Sequence, residues 1–190
     1  MGEHSGPWRD GFLAWVEVCS QPPPPGSAAF ELFRLENLFH ALQDLWLADI
    51  SELRAARRTV KAITGADCLP DNSDAIEFIG PTLKLGGVIC NRAIEALHHE
   101  HPHAEPDAVA VGEYVLQLRD FLSALADLLD SLESGDSAPL EQQAARSELA
   151  RLLGLNPDAD DRELIGECFA TAGAVATEAI AALQGAADLG

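Results

Sequence analysis

The stretch "VGEYVLQLRDFLSALADLLDSL", residues 111–132, decides the fold, because its apolar residues recur at alternating intervals of four and three. The residues in this rhythm are Val111, Val115, Leu118, Leu122, Leu125, Leu129 and Leu132. A mean period near 3.5 residues places them along one side of a helix and is typical of seams in helical bundles. Phe121 and Leu128 widen the apolar stripe, so this helix is expected to contact more than one neighbour.

A second seam runs through residues 27–63, a segment without proline or glycine. Ser27 is a candidate N-cap and Gly65 a candidate C-terminal stop, so the segment is predicted to be one long helix. Its seam residues are Leu35, Phe39, Leu42, Trp46, Leu53, Ala56, Val60 and Ile63. Asp49 also falls on the seam and is its only charged member. We therefore expect Asp49 to be buried and hydrogen-bonded, because an unpaired charge in a helix contact is costly.

Three further segments are predicted to be helical. One follows the capping pair Asp74 and Glu77, is expected to kink or split at Gly80–Pro81, and has Gly87 as a site of close approach. A shorter helix covers 138–153, and the last helix follows a capping pair at Asp160 and Glu163. No segment shows strand-like alternation.

These patterns predict an all-α fold, a helical bundle of four long helices plus two shorter helices. The bundle domain spans 27–190. Residues 1–21 are predicted to form a short N-terminal helix, and 22–26 a proline spacer ("PPPPG"), because proline lacks an amide donor and restricts the residue before it.

The composition excludes several classes of function. The net charge of −19 repels phosphate, so nucleic acid is not expected as a partner. The four cysteines include no C-x-x-C pair, and no apolar stretch lacks charge for about 18 residues. We therefore expect a cytoplasmic protein without a secretory signal or a transmembrane segment.

Histidines cluster in "EALHHEHPH", residues 95–103. The candidate metal ligands are Glu95, His98, His99, His101 and His103, and imidazole suits nickel or zinc. The other interpretation is a polar helix end, because Pro102 and Pro106 follow and cationic groups suit a helix C-terminus. We expect the helix end, followed by an exposed loop in which the histidines do not converge.

Two groups of residues suggest an interface. The N-terminal segment has an aromatic-rich helix pattern with Trp8, Phe12 and Trp15, and aromatic residues are common anchors of interfaces. Arg54, Arg57, Arg58 and Lys61 form the only basic patch, which either complements the helix dipole or binds an acidic partner.

Motifs for nucleophilic catalysis, phosphate binding and dinucleotide binding are missing from the sequence. The leading hypothesis is therefore a non-enzymatic helical bundle, an adaptor, scaffold or accessory protein that acts by protein–protein contact or by self-association. The alternatives are a nickel- or zinc-binding accessory protein that uses the histidine cluster, and a bundle that binds a small molecule or cofactor in a pocket at Asp49.

Overall fold

The computed structural model describes residues 23–49, 52–65, 75–103, 106–133, 139–154, 156 and 160–187. Within them the chain forms six helices: α1 (Ala28–Leu47), α2 (Leu53–Thr64), α3 (Ala75–Glu100), α4 (Pro106–Glu133), α5 (Pro139–Leu153) and α6 (Asp161–Ala187). These ranges contain no strand. The predicted all-α bundle of four long and two shorter helices is confirmed. The predicted helix over 1–21 lies outside the described residues, and the two shorter helices within them are α2 and α5.

The four long helices form a ring in which α1 and α4 each pack against α3 and α6. Contacts between helix ends show that α1 runs antiparallel to both of its neighbours. The backbone amide of Ala28 donates to the carboxylate of Glu100 at the end of α3 (3.0 Å), and the indole of Trp46 donates to the carbonyl of Arg162 at the start of α6 (2.9 Å). Helices α1 and α4 meet across the centre through Phe39 and Phe121, whose rings pack edge to face at 5.8 Å.

The two short helices occupy equivalent places in the fold. Helix α2 follows α1 and packs mainly on it, and α5 follows α4 and packs mainly on that helix. The chain therefore repeats one order twice, long–short–long, in α1–α2–α3 and α4–α5–α6. The inner side of α2 contributes Val60 and Ile63 to the buried interior, and the inner side of α5 contributes Leu149 and Ala150.

The predicted single helix over 27–63 is wrong, because the chain leaves α1 at Leu47. Ala48 is extended (φ −62°, ψ 140°), and the carbonyl of Asp49 accepts from the amides of Glu52 (2.8 Å) and Leu53 (3.1 Å), which starts α2. A continuous helix from Ala28 to Thr64 would be about 55 Å long, whereas helices the size of α3 or α4 cover about 40 Å. Folding back at residue 48 instead brings Val60 and Ile63 into the core.

Local capping sets most of the other helix ends where the sequence predicted them. The Ser27 hydroxyl accepts from the amide of Phe30 (3.1 Å), and Gly65 ends α2 in the left-handed region (φ 71°). The Asp160 carboxylate accepts from the amide of Glu163 (2.9 Å) at the start of α6. Helix α3 continues through Pro81, so of the expected kink or split at Gly80–Pro81 the split does not occur.

The core is built from the predicted seams. The α4 seam residues from Val111 to Leu129 are buried. The close approach that we expected at Gly87 occurs at Gly86, where an added Cβ would lie 3.1 Å from the side chain of Leu122 and 3.3 Å from that of Leu38. An added Cβ at Gly87 would meet nothing within 4 Å.

Helix α6 is the most apolar part of the described chain. Over Asp161–Leu183 it is long and apolar enough to cross a membrane, by length and composition alone. Half of its most apolar window is buried inside the bundle, and a core helix of a water-soluble bundle satisfies the same two criteria.

Candidate functional site

The outer side of α2 is the most distinctive surface of the described chain. It carries Arg54, Arg57, Arg58 and Lys61, which we call the basic face. These are four of the twelve basic residues in a chain of net charge −19, and the segment Leu53–Thr64 has no acidic residue. Arg54 and Arg58 are exposed, whereas Arg57 and Lys61 are half-buried. A compact positive surface thus lies on an otherwise acidic molecule.

The members of the basic face have different roles. The guanidinium carbon of Arg57 lies 5.7 Å from the centre of the Phe78 ring, a cation–π distance that links α2 to α3. Arg54 and Arg58 form no ion pair with any residue that the structure describes, so their charge is directed to solvent. The predicted basic patch is therefore a continuous surface, and its two outermost guanidinium groups are accessible to another molecule.

A buried ion pair fixes α2 in this orientation. Arg34 donates to the carboxylate of Glu31 (2.7 Å) and to the carbonyl of Ile63 in the last turn of α2 (3.1 Å), and the side chains of Glu31 and Arg34 are nearly inaccessible. Burial lowers the pKa of Arg34, and the charge of Glu31 opposes that shift. The sequence alone does not reveal this pair, because Glu and Arg three residues apart are also typical of an exposed helix surface.

A groove lies where the end of α1 meets the start of α2. Its volume is about 600 Å³, and its walls are Asp44, Leu47, Ala48, Glu52, Ala55, Ala56 and Thr59. The volume lies within the range of small-molecule sites, but the groove is open to solvent. Two carboxylates above alanine side chains would suit an aliphatic cation.

Asp49 does not occupy the buried position that its place on the seam predicted. It is exposed in the turn between α1 and α2, and its backbone carbonyl, not its side chain, makes the described hydrogen bonds. The prediction is wrong because the seam was extended across a turn that breaks the helix. The neighbouring groove is lined by Asp44 and Glu52 and does not include Asp49.

The histidine cluster lies at the end of α3, which is the helix end that the sequence predicted. Helix α3 ends at Glu100; His98, His99 and His103 are exposed, and His101 is half-buried. Within the described ranges, which include Glu95 and all four histidines, no three His, Cys, Asp or Glu side chains lie close enough together to hold a metal ion. Glu100 instead accepts from the amide of Ala28 and so caps α1.

The polar stripe Glu36, His40, Asp44 on α1 is used in two ways. The hydroxyl of Thr177 on α6 donates to the carboxylate of Glu36 (2.6 Å), and an added Cβ at Gly173 would lie 3.2 Å from Nε2 of His40. Glu36 and His40 therefore lie along the contact between α1 and α6, whereas Asp44 lines the groove between α1 and α2.

The two cysteines in the described ranges are core residues. Burial is the main cause that raises the pKa of the Cys90 thiol and that of the Cys168 thiol to about 12. Both thiols are therefore protonated near neutral pH and are poor nucleophiles.

The predicted aromatic interface residues Trp8, Phe12 and Trp15 lie outside the described residues. Comparisons with protein-family models, with curated proteins and with solved structures found no match. The basic face is therefore interpreted from its own chemistry.

Proposed function

We propose that this chain is a non-enzymatic helical-bundle interaction protein and that the basic face of α2 is its docking surface for an acidic protein surface. The observation that carries the proposal is the outward direction of Arg54 and Arg58 in a molecule of net charge −19. A helix without a negative charge of its own, fixed on a rigid bundle, presents positive charge at defined positions.

The helix dipole explains the positions of these arginines less well than a docking function does. A helix C-terminus favours cations only within its last turn. In α2 only Lys61 lies in the last turn, whereas Arg54 is the second residue of the helix, where the dipole disfavours positive charge. The arginines at 54 and 58 therefore need another explanation, and an acidic partner provides one.

The test uses a synthetic helical peptide with glutamates at positions i, i+4 and i+7, the spacing of Arg54, Arg58 and Lys61. A fluorescent form is titrated with the full chain at low ionic strength, because exposed ion pairs are screened by salt. We expect binding that is lost in the double variant Arg54→Glu/Arg58→Glu and in the peptide with glutamines.

The control is Arg151→Glu on α5, which reverses another exposed arginine and matches in charge the single variants Arg54→Glu and Arg58→Glu, which are measured beside it. Binding should be nearly retained in this variant. Equal losses in Arg151→Glu and in the double variant would contradict the proposal, as would no binding by the unchanged protein. Circular dichroism of each variant checks that the bundle is intact.

A second candidate function is supported by the groove between α1 and α2, whose two carboxylates and alanine-rich walls suit a small aliphatic cation. The probe is spermidine in isothermal titration. Binding that is lost in Asp44→Asn/Glu52→Gln, and kept in Asp49→Asn, would favour this function. The nickel or zinc alternative is not carried forward, because its candidate ligands do not meet at one point.

A further inference from the structure

The outer side of α4 carries a row of carboxylates that complements the basic face. Glu113, Asp120 and Asp127 are exposed and lie seven residues apart; we call them the acidic ridge. Seven residues are almost two full turns, so the three side chains share one side of the helix, with about 10.5 Å between neighbours. The ridge is therefore a row of negative charges along one side of α4.

The spacing of the ridge matches that of the basic face. Arg54 and Lys61 are also seven residues apart, with Arg58 between them. Two helices lying side by side could thus place two consecutive carboxylates of the ridge opposite the two ends of the basic face, with Arg54 and Arg58 as the cations directed to solvent. Because the match depends on regular helix geometry, it does not require either helix to change its shape.

The ridge is only partly neutralised within its own helix. The guanidinium of Arg119 lies 3.5 Å from the carboxylate of Asp120, and both side chains are about half exposed, so that pair is weak. Glu113 and Asp127 form no ion pair with any residue in the described ranges. Their charge, like that of Arg54 and Arg58, is directed to solvent.

An exposed apolar side chain lies beside the acidic ridge. Leu116 lies between Glu113 and Asp120 on α4 and is 41% exposed. A leucine next to the charges of an interface adds a small area of hydrophobic burial. The carboxylates of Asp44 and Glu52 in the groove would keep the acidic ridge on the outer side of α2.

We propose that the occupant of the basic face is the acidic ridge of a second copy of this chain. This inference rests on the proposed function and names its partner. The two surfaces differ, and α2 packs on α1, which is diagonal to α4 in the ring, so the contact is heterologous and continues from copy to copy. At about 0.15 M salt the repulsion between acidic copies is screened beyond about 8 Å, while pairs in contact still attract.

The experiment is sedimentation velocity of the full chain over a concentration series. At about 0.15 M salt we expect the mean sedimentation coefficient to rise with concentration, and at about 1 M salt we expect it to stay at the monomer value. Arg54→Glu/Arg58→Glu and Asp120→Lys/Asp127→Lys should each weaken the association by about tenfold or more. Arg151→Glu, the control, should not weaken it.

The decisive arm mixes the two charge-reversed variants at a concentration at which each alone is expected to be monomeric. The α2 variant keeps its acidic ridge and the α4 variant keeps its basic face, so the mixture should associate through this unaltered pair of surfaces. A monomer at every concentration, or association unchanged by the α2 variant, would overturn the proposed contact. If the glutamate peptide still binds through Arg54 and Arg58 while the chain remains monomeric, the proposed function stands and only the partner is wrong.

Discussion

Helices α2 and α5 are the most informative comparison within the molecule, because they hold equivalent places in the two halves. Each folds back on the long helix before it, and each is tied there by a side chain of that helix. Arg34 of α1 donates to the carbonyl of Ile63 (3.1 Å), and Gln117 of α4 donates to the carbonyl of Leu152 (2.8 Å). The two short helices thus share one means of attachment.

Their outer surfaces differ. The two arginines of α5 each pair with a nearby carboxylate: Arg146 with Asp161 at the start of α6, and Arg151 with Glu148 one turn away (2.6 Å). In α2 the exposed Arg54 and Arg58 have no such partner in the described ranges. The short helix of one half therefore has its arginines paired with nearby carboxylates, whereas the short helix of the other half directs two arginines to solvent. This difference is the reason that we assign docking to α2.

The largest effect is expected at the contact that joins the two halves. Phe121 is fully buried against Phe39, so Phe121→Ala should lower the free energy of unfolding by about 3–5 kcal/mol. Urea denaturation followed by circular dichroism measures the change. Leu116→Ala on the exposed side of the same helix should change it by less than about 0.5 kcal/mol. Similar losses in both variants would mean that the α4 seam does not face the core.

The attachment of α2 should be the next most sensitive point. Arg34→Ala leaves Glu31 buried without its cation, so we expect a loss of about 3 kcal/mol. The double variant Glu31→Leu/Arg34→Leu removes both charges and should regain most of that loss. A double variant that is as unstable as Arg34→Ala would show that the pair acts mainly through the carbonyl of Ile63. Urea denaturation again gives the values.

The equivalent change in the second half should cost less. Gln117→Ala removes one neutral hydrogen bond to the carbonyl of Leu152, and such a bond contributes about 1 kcal/mol. The comparison of Arg34→Ala with Gln117→Ala in the same denaturation assay measures how differently the two halves hold their short helices. A larger loss for Gln117→Ala would reverse our interpretation of the two attachments.

The smallest effect concerns the surface pair of α5. The hydrogen bond from Arg151 lowers the pKa of Glu148, so the pair stabilises the fold above the ordinary pKa of glutamate and loses this contribution as pH falls through the lowered value. Both side chains are exposed to solvent, so the effect should be slight. We expect Glu148→Gln to lower the melting temperature slightly at pH 7 and by less at about pH 3. An equal change at both pH values would contradict a charge-dependent pair.

Much of the fold follows from local sequence. Ser27, Gly65 and Asp160 set helix ends because their capping bonds involve residues within one turn, and the sequence contains that information directly. The seam of α4 was equally readable, because a core-facing helix repeats its apolar residues at the period of its own geometry. The attachment of Glu100 to Ala28 was not readable, since those residues are 72 positions apart.

The tertiary structure decided which charges are used and how. Arg34 and Arg54 look alike in the sequence, yet one is buried on Glu31 and Ile63 and the other is exposed, because α2 turns back along α1 instead of extending it. The spacing of the seam continues across 48–52, with Asp49 as its only charged position, so it could not show the turn that exposes Asp49. The seams and the caps are local properties that can be read from neighbouring residues. The path of α2, and with it the position of the basic face, depends on α3, α4 and α6, which are too short to cover a helix continuing from Ala28 to Thr64.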